Sequence, residues 1–161
     1  MSPRAAARLE SLGFTRVYDY VPGKLDWLAA GLPREGKAAS VPLASDVVHE
    51  VPLCHADERV ADVRARIGSE ADMCAVVDRN GVLLGLLRAR QLKSSEDAIV
   101  DSVMVPGPTT VRANEFLDDL TSRMTTHKVP VILVTTPEGR PIGLLRRADA
   151  ERVLAEQNKR S

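Results

Sequence analysis

The feature that most constrains the fold of this chain is an internal repeat. The segments Gly81–Arg88 and Gly139–Arg146 share two glycines at an offset of 58 residues, and both contain the tetrapeptide Gly-Leu-Leu-Arg. A short apolar stretch precedes each of them at the same offset, Ala75–Asp78 in one case and Leu133–Thr136 in the other. Similar flanks at a fixed spacing indicate two copies of one structural unit.

Each copy is predicted to contain a β-hairpin. The apolar stretches are of strand length, and they are followed by the turn residues of Asp78–Gly81 and Thr136–Gly139. Residues of these types reverse a chain between two strands. The repeated glycine segments then supply the second strand of each hairpin.

A helix is predicted before each hairpin. Apolar residues recur there at helical spacing, namely Val60, Val63 and Ile67 in the first copy and Phe116, Leu117, Leu120 and Met124 in the second. Such spacing places the apolar groups on one face of a helix. Asp57 and Asn114 stand where an N-cap side chain would accept the first free backbone N–H groups.

The whole unit reads as strand, helix, strand, strand, helix. Val153 and Leu154 indicate that an amphipathic helix follows the second hairpin. A unit of about 55 to 60 residues is too small to bury its own sheet comfortably, so the two copies are expected to pack together. The alternation of strands and helices predicts a mixed α/β (α+β) architecture.

Composition argues against several classes of function. Lys plus Arg and Asp plus Glu both number 22, and aromatic residues make up 3%, so neither a basic field nor stacking groups favour nucleic-acid binding. No apolar stretch is long enough to span a bilayer, and the N-terminus lacks the apolar region of a secretion signal. A cytoplasmic location is therefore expected. The two cysteines and three histidines show no metal-ligand spacing, so no metal site is predicted.

The repeat resembles the CBS domain pair, often called a Bateman module, over about residues 44 to 156. In that family a Gly-containing hairpin leads into the pattern Gly-h-h-Thr/Ser-x-x-Asp, where h is apolar. The second copy, Gly143–Asp149, keeps the glycine, the apolar pair and the acid, whereas the first copy, Gly85–Gln91, loses the acid. The resemblance implies two repeats, 44–97 and 98–157, packed as a pseudo-twofold pair.

The resemblance also implies a regulatory site for an adenosine-containing ligand: AMP, ADP, ATP or S-adenosylmethionine. The acid of the family pattern binds both ribose hydroxyls, and this role falls by position on Asp149. Arg146 and Arg88 occupy the Thr/Ser position. An arginine there either clamps phosphate through two hydrogen bonds or blocks the pocket with its bulk.

The adenine-binding positions of the family are also occupied differently in the two copies. In the second copy they fall on Val129, Pro130, Met104 and Thr110; in the first copy they fall on Ala71, Asp72, Val48 and Leu53. An acid in the latter set would repel phosphate. The resemblance thus implies one usable site around Asp149 and Arg146, and a second, weaker site with Arg88, Leu53 and Ala71.

Residues 1–40 look like the last helix, strand and helix of a rhodanese domain. The similarity lies in Ala6–Asp19 and Gly23–Pro33, without the cysteine loop that rhodanese catalysis requires. This segment is too short to fold alone, so Phe14, Trp27 and Leu28 are expected to dock on the repeats or on a partner.

Three functions follow, in order of preference. The first is a regulatory nucleotide-binding module that dimerises through its helices and signals to a partner protein. The second is a ligand-free dimerisation and interaction scaffold, in which Asp149 is only a first-turn helix acid and the arginines are solvated. The third is a sulfurtransferase, which would need a reactive thiolate at Cys54 or Cys74.

Overall fold

The computed structural model describes residues 3–18, 23–30, 32–36, 40–69, 71–94 and 97–159. The first half of the core contains β1 (Leu53–His55), α3 (Val60–Ile67), β2 (Met73–Val77), β3 (Leu83–Arg88) and α4 (Ala89–Ser94). The second half contains β5 (Thr110–Arg112), α6 (Leu117–Thr126), β6 (Val131–Thr135), β7 (Pro141–Arg146) and α7 (Arg147–Asn158). The predicted order of elements and the mixed α/β class are confirmed in both halves.

The two halves pair their strands in the same way. In the first, β1 runs parallel to β2 and β2 runs antiparallel to β3; in the second, β5, β6 and β7 repeat this arrangement. Both hairpins carry a register irregularity at the equivalent place, between Val76 and Val77 and between Val134 and Thr135. The sequence offset therefore corresponds to a structural duplication that extends to irregularities of the strands.

A short segment precedes each half and packs on the other half. The first arm, residues 42–51, contains a 3-10 helix (Ala44–Val47), and its His49 pairs with Leu144 of β7. The second arm, residues 98–107, contains α5 (Val100–Val103) and β4 (Val105–Pro106), and β4 pairs with β3 of the first half. The halves thus exchange arms, while the sequence boundaries 44–97 and 98–157 stay a prediction.

The helix starts differ from the predicted ones. Helices α3 and α6 begin at Val60 and Leu117, three residues after Asp57 and Asn114, and no side chain caps either of them. Instead, the N–H of Val60 donates to the carbonyl of Ala98, and the N–H of Leu117 donates to the carbonyl of Pro42. The assignment of Asp57 and Asn114 as N-caps was therefore wrong, because backbone groups of the exchanged arms satisfy these helix ends.

The apolar faces of α3 and α6 fill two separate cores. Val60 and Val63 are buried in the first half, and Leu117, Leu120 and Met124 are buried in the second. Phe116, which was placed on the same face, precedes the helix and is 50% exposed. A third cluster, formed by Leu86, Leu133 and Leu144, joins the two sheets. The expectation that the copies bury apolar surface against one another is confirmed by this cluster.

The N-terminal residues form α1 (Pro3–Ser11) and α2 (Gly23–Ala29). Leu28 packs against the core of the second half, which agrees with the predicted docking. Phe14, by contrast, is 59% exposed, and the Trp27 ring N–H donates to the carbonyl of Pro33. Residues 12–18 form no strand, and Asp19, the last residue of the predicted rhodanese-like segment Ala6–Asp19, lies outside the described residues.

The turn of the first hairpin depends on a carboxylate. Oδ1 of Asp78 accepts hydrogen bonds from the backbone N–H groups of Asn80 and Val82, both at 2.8 Å. The N–H of Val82 first, and that of Asn80 next, hold the pKa of the Asp78 carboxyl below its usual value of 3.8. A carboxyl with a lowered pKa stabilises the fold above its unfolded pKa and loses this contribution as the pH falls.

We expect Asp78→Asn to lower stability at neutral pH and to have little effect at acidic pH. The difference from the native chain should shrink as the pH falls through about 4 and below, where the native carboxyl becomes protonated. Urea unfolding across pH 2 to 7 measures it. Thr136→Ala is the control, since this hydroxyl accepts from the Arg140 N–H in the second turn and does not titrate. A pH-independent loss in Asp78→Asn would contradict the prediction.

Candidate functional site

A cleft lies between the two halves, where the end of β3 in the first half faces the start of β6 in the second. Met73, Leu86 and Arg88 of the first half line it together with Lys128, Val129 and Pro130 of the second, and its volume is about 240 Å³. Pro108 and Thr109, which follow the second arm, complete its wall. We call this the basic cleft, because its two charged side chains are both cations.

Neither cation has an acidic partner within the described residues. The ion pairs found there involve other side chains, and both Arg88 and Lys128 are exposed. The backbone N–H of Arg88 is bonded to the Gln91 side chain at the start of α4. Two uncompensated cations in a concave site favour an anionic group, and an arginine guanidinium suits phosphate especially well.

Lys128 reaches the basic cleft from a strained backbone position. It follows α6 with φ of 55°, the one positive φ of a non-glycine residue in the described part of the chain. The N–H of Lys128 donates to the carbonyl of Thr125, and that of Val129 donates to the carbonyl of Met124. This pair of bonds is a helix-ending motif that normally has glycine at the left-handed position. A lysine there costs conformational energy that glycine avoids.

The equivalent surface on the other side of the duplicated core has a different charge. There Arg146 replaces Arg88, and Asp72 stands where the second half has Pro130. A guanidinium nitrogen of Arg146 lies 3.8 Å from a carboxylate oxygen of Asp72. Asp72 therefore lies beside Arg146, whereas Val129 and Pro130 line the basic cleft with Arg88. Residues of both halves thus meet at each position, while the carbonyl of Pro130 also accepts the N–H of Arg147 within its own repeat.

Asp149, the predicted ribose-binding acid, lies in the first turn of α7. One of its oxygens is 3.0 Å from Nε2 of His49 in the first arm, and the other accepts a hydrogen bond from Arg152 at 2.8 Å. The side chain is 18% exposed. It is not among the residues that line the basic cleft. A vicinal diol would therefore have to displace His49 or Arg152 before this carboxylate could accept both hydroxyls.

The remaining predicted residues are distributed over both halves. Thr110 and Val129 line a second cavity of about 410 Å³, which adjoins the basic cleft through Thr109. Met104 belongs to the second arm and packs against the core of the first half. Leu53 begins β1 and is 44% exposed. Val48, in the first arm, packs against the core of the second half.

The charged side chains of Lys128, Glu115 and Arg123 at these cavities were not singled out from the sequence. Lys128 was not considered, because its left-handed backbone cannot be read from residue type. Glu115 lines the second cavity and pairs with Arg123. The same acid accepts the backbone N–H of Arg112, just as Glu58 accepts that of His55 in the first half. The repeated acid at an offset of 57 residues is the signal that could have found Glu115.

Both thiols are buried in the first half. Cys54 is 1% exposed and Cys74 is fully buried, and neither forms a disulfide. A hydrogen bond to Cys54, together with burial, raises the pKa of the Cys74 thiol. No group of three or more potential ligands surrounds a metal position in the described residues. None of the helices described is long and apolar enough to cross a membrane.

Two equivalent α/β halves that exchange arms and enclose a cleft define a duplicated, two-repeat module. Residues 100–156 match the family model of the CBS domain. With its two sheets and flanking helices, the chain has the fold of a CBS domain pair, as solved structures of such pairs show.

Three solved structures illustrate the similarity. The cytosolic domain of the Mg²⁺ channel MgtE, in complex with ATP, is 24% identical, with a TM-score of 0.62 over 71% of this chain and 50% of that one. The CBS domain pair of MJ0100, in complex with 5′-methylthioadenosine and S-adenosyl-L-methionine, is 18% identical, with a TM-score of 0.58 over 73% and 98%. CBSX2 from Arabidopsis thaliana is 21% identical, with a TM-score of 0.60 over 74% and 97%.

These likenesses extend over different shares of the relatives. The chain spans about half the length of the two magnesium-transport structures that it matches, 50% of one and 48% of the other. It spans nearly all of the MJ0100 and CBSX2 structures. No curated protein sequence matches the chain significantly.

Proposed function

We propose that this chain is a non-catalytic regulatory module that binds an adenosine-containing ligand between its two halves. The observation that carries the proposal is the basic cleft, where Arg88 of the first half and Lys128 of the second face one concave space. The walls of the cleft consist of apolar side chains and the first residues of a strand, and they surround two cations. Such a cleft suits a ligand with a flat ring and an anionic end. The MgtE and MJ0100 structures, which share the fold, were solved with ATP and with adenosine-derived ligands.

Binding in this cleft would couple the halves. A ligand that contacts Arg88 and Lys128 together favours the arrangement in which both are within reach, and it thereby shifts the equilibrium between arrangements of the halves. The exchanged arms carry such a shift outward, since His49 and Val105 are each bonded to the opposite half. A partner protein that contacts the arms or helices can read the ligand state in this way.

Ligand binding should stabilise the fold measurably. A ligand at a hundred times its dissociation constant adds about 2.7 kcal/mol, which raises the melting temperature of a chain of this size by roughly 5 to 10 °C. Melts with AMP, ADP, ATP and S-adenosylmethionine at millimolar concentration test this expectation. Adenine and inorganic sulfate are the controls for ring-only and charge-only effects. If none of the four ligands raises the melting temperature, the regulatory proposal fails.

The second candidate is a ligand-free interaction scaffold, and the environment of Asp149 favours it. Both oxygens of this carboxylate already have partners, His49 and Arg152. Its placement in the first turn of α7 is also favourable without any ligand. The ligand melts separate the candidates, because a sensor responds to at least one of the four ligands, whereas a scaffold responds to none of them and still binds its partner.

The proposed assembly is a homodimer formed through the helices, acting on a regulated protein in the cytoplasm. Ile99 and Phe116, at the starts of α5 and α6, are 40% and 50% exposed and provide apolar surface for such contacts. Aromatic side chains such as Phe116 are enriched in protein interfaces. Sedimentation of the chain with and without ligand measures the assembly. The sulfurtransferase alternative would need an accessible thiol, and both Cys54 and Cys74 are buried.

A further inference from the structure

The duplicated core gives two equivalent ligand positions, and their charges are unequal. Pro130 borders the basic cleft beside Arg88, whereas Asp72 occupies the matching position beside Arg146. The arginines are equivalent by sequence offset. One of them faces a second cation, Lys128, and the other faces a carboxylate. An anion is therefore attracted at the first position and not at the second, where the opposite charges of Arg146 and Asp72 offset each other.

We infer that the phosphate groups of the ligand bind only in the basic cleft, held by Arg88 and Lys128 from opposite halves, so that each chain takes one phosphorylated ligand. This inference rests on the proposed function and deepens it. Asp72 closes the equivalent position to anions by pairing with Arg146, 3.8 Å away. A ligand without phosphate gains nothing from the basic cleft's two charges, so the site discriminates nucleotides from nucleosides.

The backbone at Lys128 supports a role in binding. Glycine at this left-handed position would make the end of α6 more stable, yet the chain has a lysine whose side chain lines the cleft. A strained backbone conformation at a cleft is typical of residues that serve binding rather than folding.

Calorimetric titration of the full chain with ATP, adenosine and inorganic pyrophosphate tests the inference. We expect ATP to bind once per chain and at least about tenfold more tightly than adenosine, because hydrogen bonds between charged groups are among the strong ones. Arg88→Gln should weaken the binding of ATP and of pyrophosphate by about tenfold or more. Arg146→Gln is the matched control, and it should change neither affinity by more than about twofold, since its partner is Asp72.

Lys128→Gly separates binding from folding. It should raise the melting temperature, because glycine relieves the strain of the left-handed backbone. It should also weaken the binding of ATP by about tenfold. Lys93→Gln, at an exposed position on α4, removes the same charge away from the cleft and should leave the ATP affinity unchanged. Full ATP affinity in Lys128→Gly would overturn the assignment of this residue.

Asp72→Asn should create a second anion site. Removing this carboxylate frees Arg146, so pyrophosphate should bind twice per chain instead of once. The additional binding should disappear in the double variant Asp72→Asn, Arg146→Gln. A stoichiometry that stays at one in Asp72→Asn would show that Asp72 does not close this position.

The titrations also distinguish the two levels of the proposal. If ATP binds and its affinity survives both Arg88→Gln and Lys128→Gly, the regulatory function stands and the assignment of the phosphate site is wrong. If pyrophosphate binds in an Arg88-dependent way but no adenosine-containing ligand does, the basic cleft is an anion site and the proposed function is wrong.

Discussion

Gly143→Ala is expected to destabilise the fold by about 3 kcal/mol or more, at the upper end of what overpacking usually costs. A Cβ at this position would overlap the carbonyl oxygen of His49 and would lie 2.5 Å from Cγ1 of Val48. Both belong to the first arm, whose His49 exchanges two backbone hydrogen bonds of 2.8 Å with Leu144. Since backbone cannot rotate away, the arm has to leave the second half.

Gly85→Ala, at the equivalent glycine, is the matched control. The nearest atom to its added Cβ is Sδ of Met104 at 2.6 Å, which is the far end of a flexible side chain. The carbonyl oxygen of Val105, at 3.0 Å, has to move only slightly. We therefore expect a cost of about 1 kcal/mol, because methionine repacks readily.

Urea unfolding of both variants measures the difference. In Gly143→Ala the displaced arm also removes His49 from Asp149, so the side chain of Asp149 becomes accessible to a diol. Equal losses in the two variants, or a larger loss in Gly85→Ala, would show that the first arm is not held as tightly as its backbone contacts indicate.

The fold could be predicted from the sequence because the duplication is visible in it. The Gly-Leu-Leu-Arg segments became β3 and β7, and the turn residues before them became two equivalent hairpin turns. These features are local, since residues that form one hairpin lie close together in the chain. Local patterns of this kind carry the information that decides secondary structure.

The helix caps could not be predicted, because they depend on contacts between distant segments. Asp57 and Asn114 are suitable cap residues by type, yet the N–H groups of Val60 and Leu117 find carbonyls of the exchanged arms. Which arm lies beside which helix is a property of the tertiary fold. A pattern within ten residues of sequence does not indicate which arm lies beside which helix.

The contact between residues of different halves at the cleft could not be predicted for the same reason. Sequence motifs were assigned repeat by repeat, which placed Val129 and Pro130 with Arg146. In the structure they also line a cleft with Arg88, because the end of β3 in one half faces the start of β6 in the other. The charges of the two positions then follow from residues of both repeats, and only the folded arrangement shows that Lys128 joins Arg88.

The two halves are also expected to unfold as one unit. Leu86 of the first half packs with Leu133 and Leu144 of the second, and each arm is bonded to the opposite half. Loss of one half would therefore expose this shared cluster and break both arm contacts. Such coupling favours a single cooperative transition.

Leu145→Ala and Leu87→Ala test this coupling from opposite sides. Both leucines are fully buried, one in each separate core, so each substitution should cost about 3 kcal/mol, within the 2 to 5 kcal/mol typical of buried leucine. Calorimetry should show one transition in each variant, lowered by a similar amount, because a defect in either half weakens the same cooperative unit. Leu84→Ala, at a position that is 38% exposed, is the control and should cost under about 1 kcal/mol. Two resolved transitions, with only one shifted in each variant, would mean that the halves fold independently, and a ligand in the basic cleft would then have no rigid coupling through which to act.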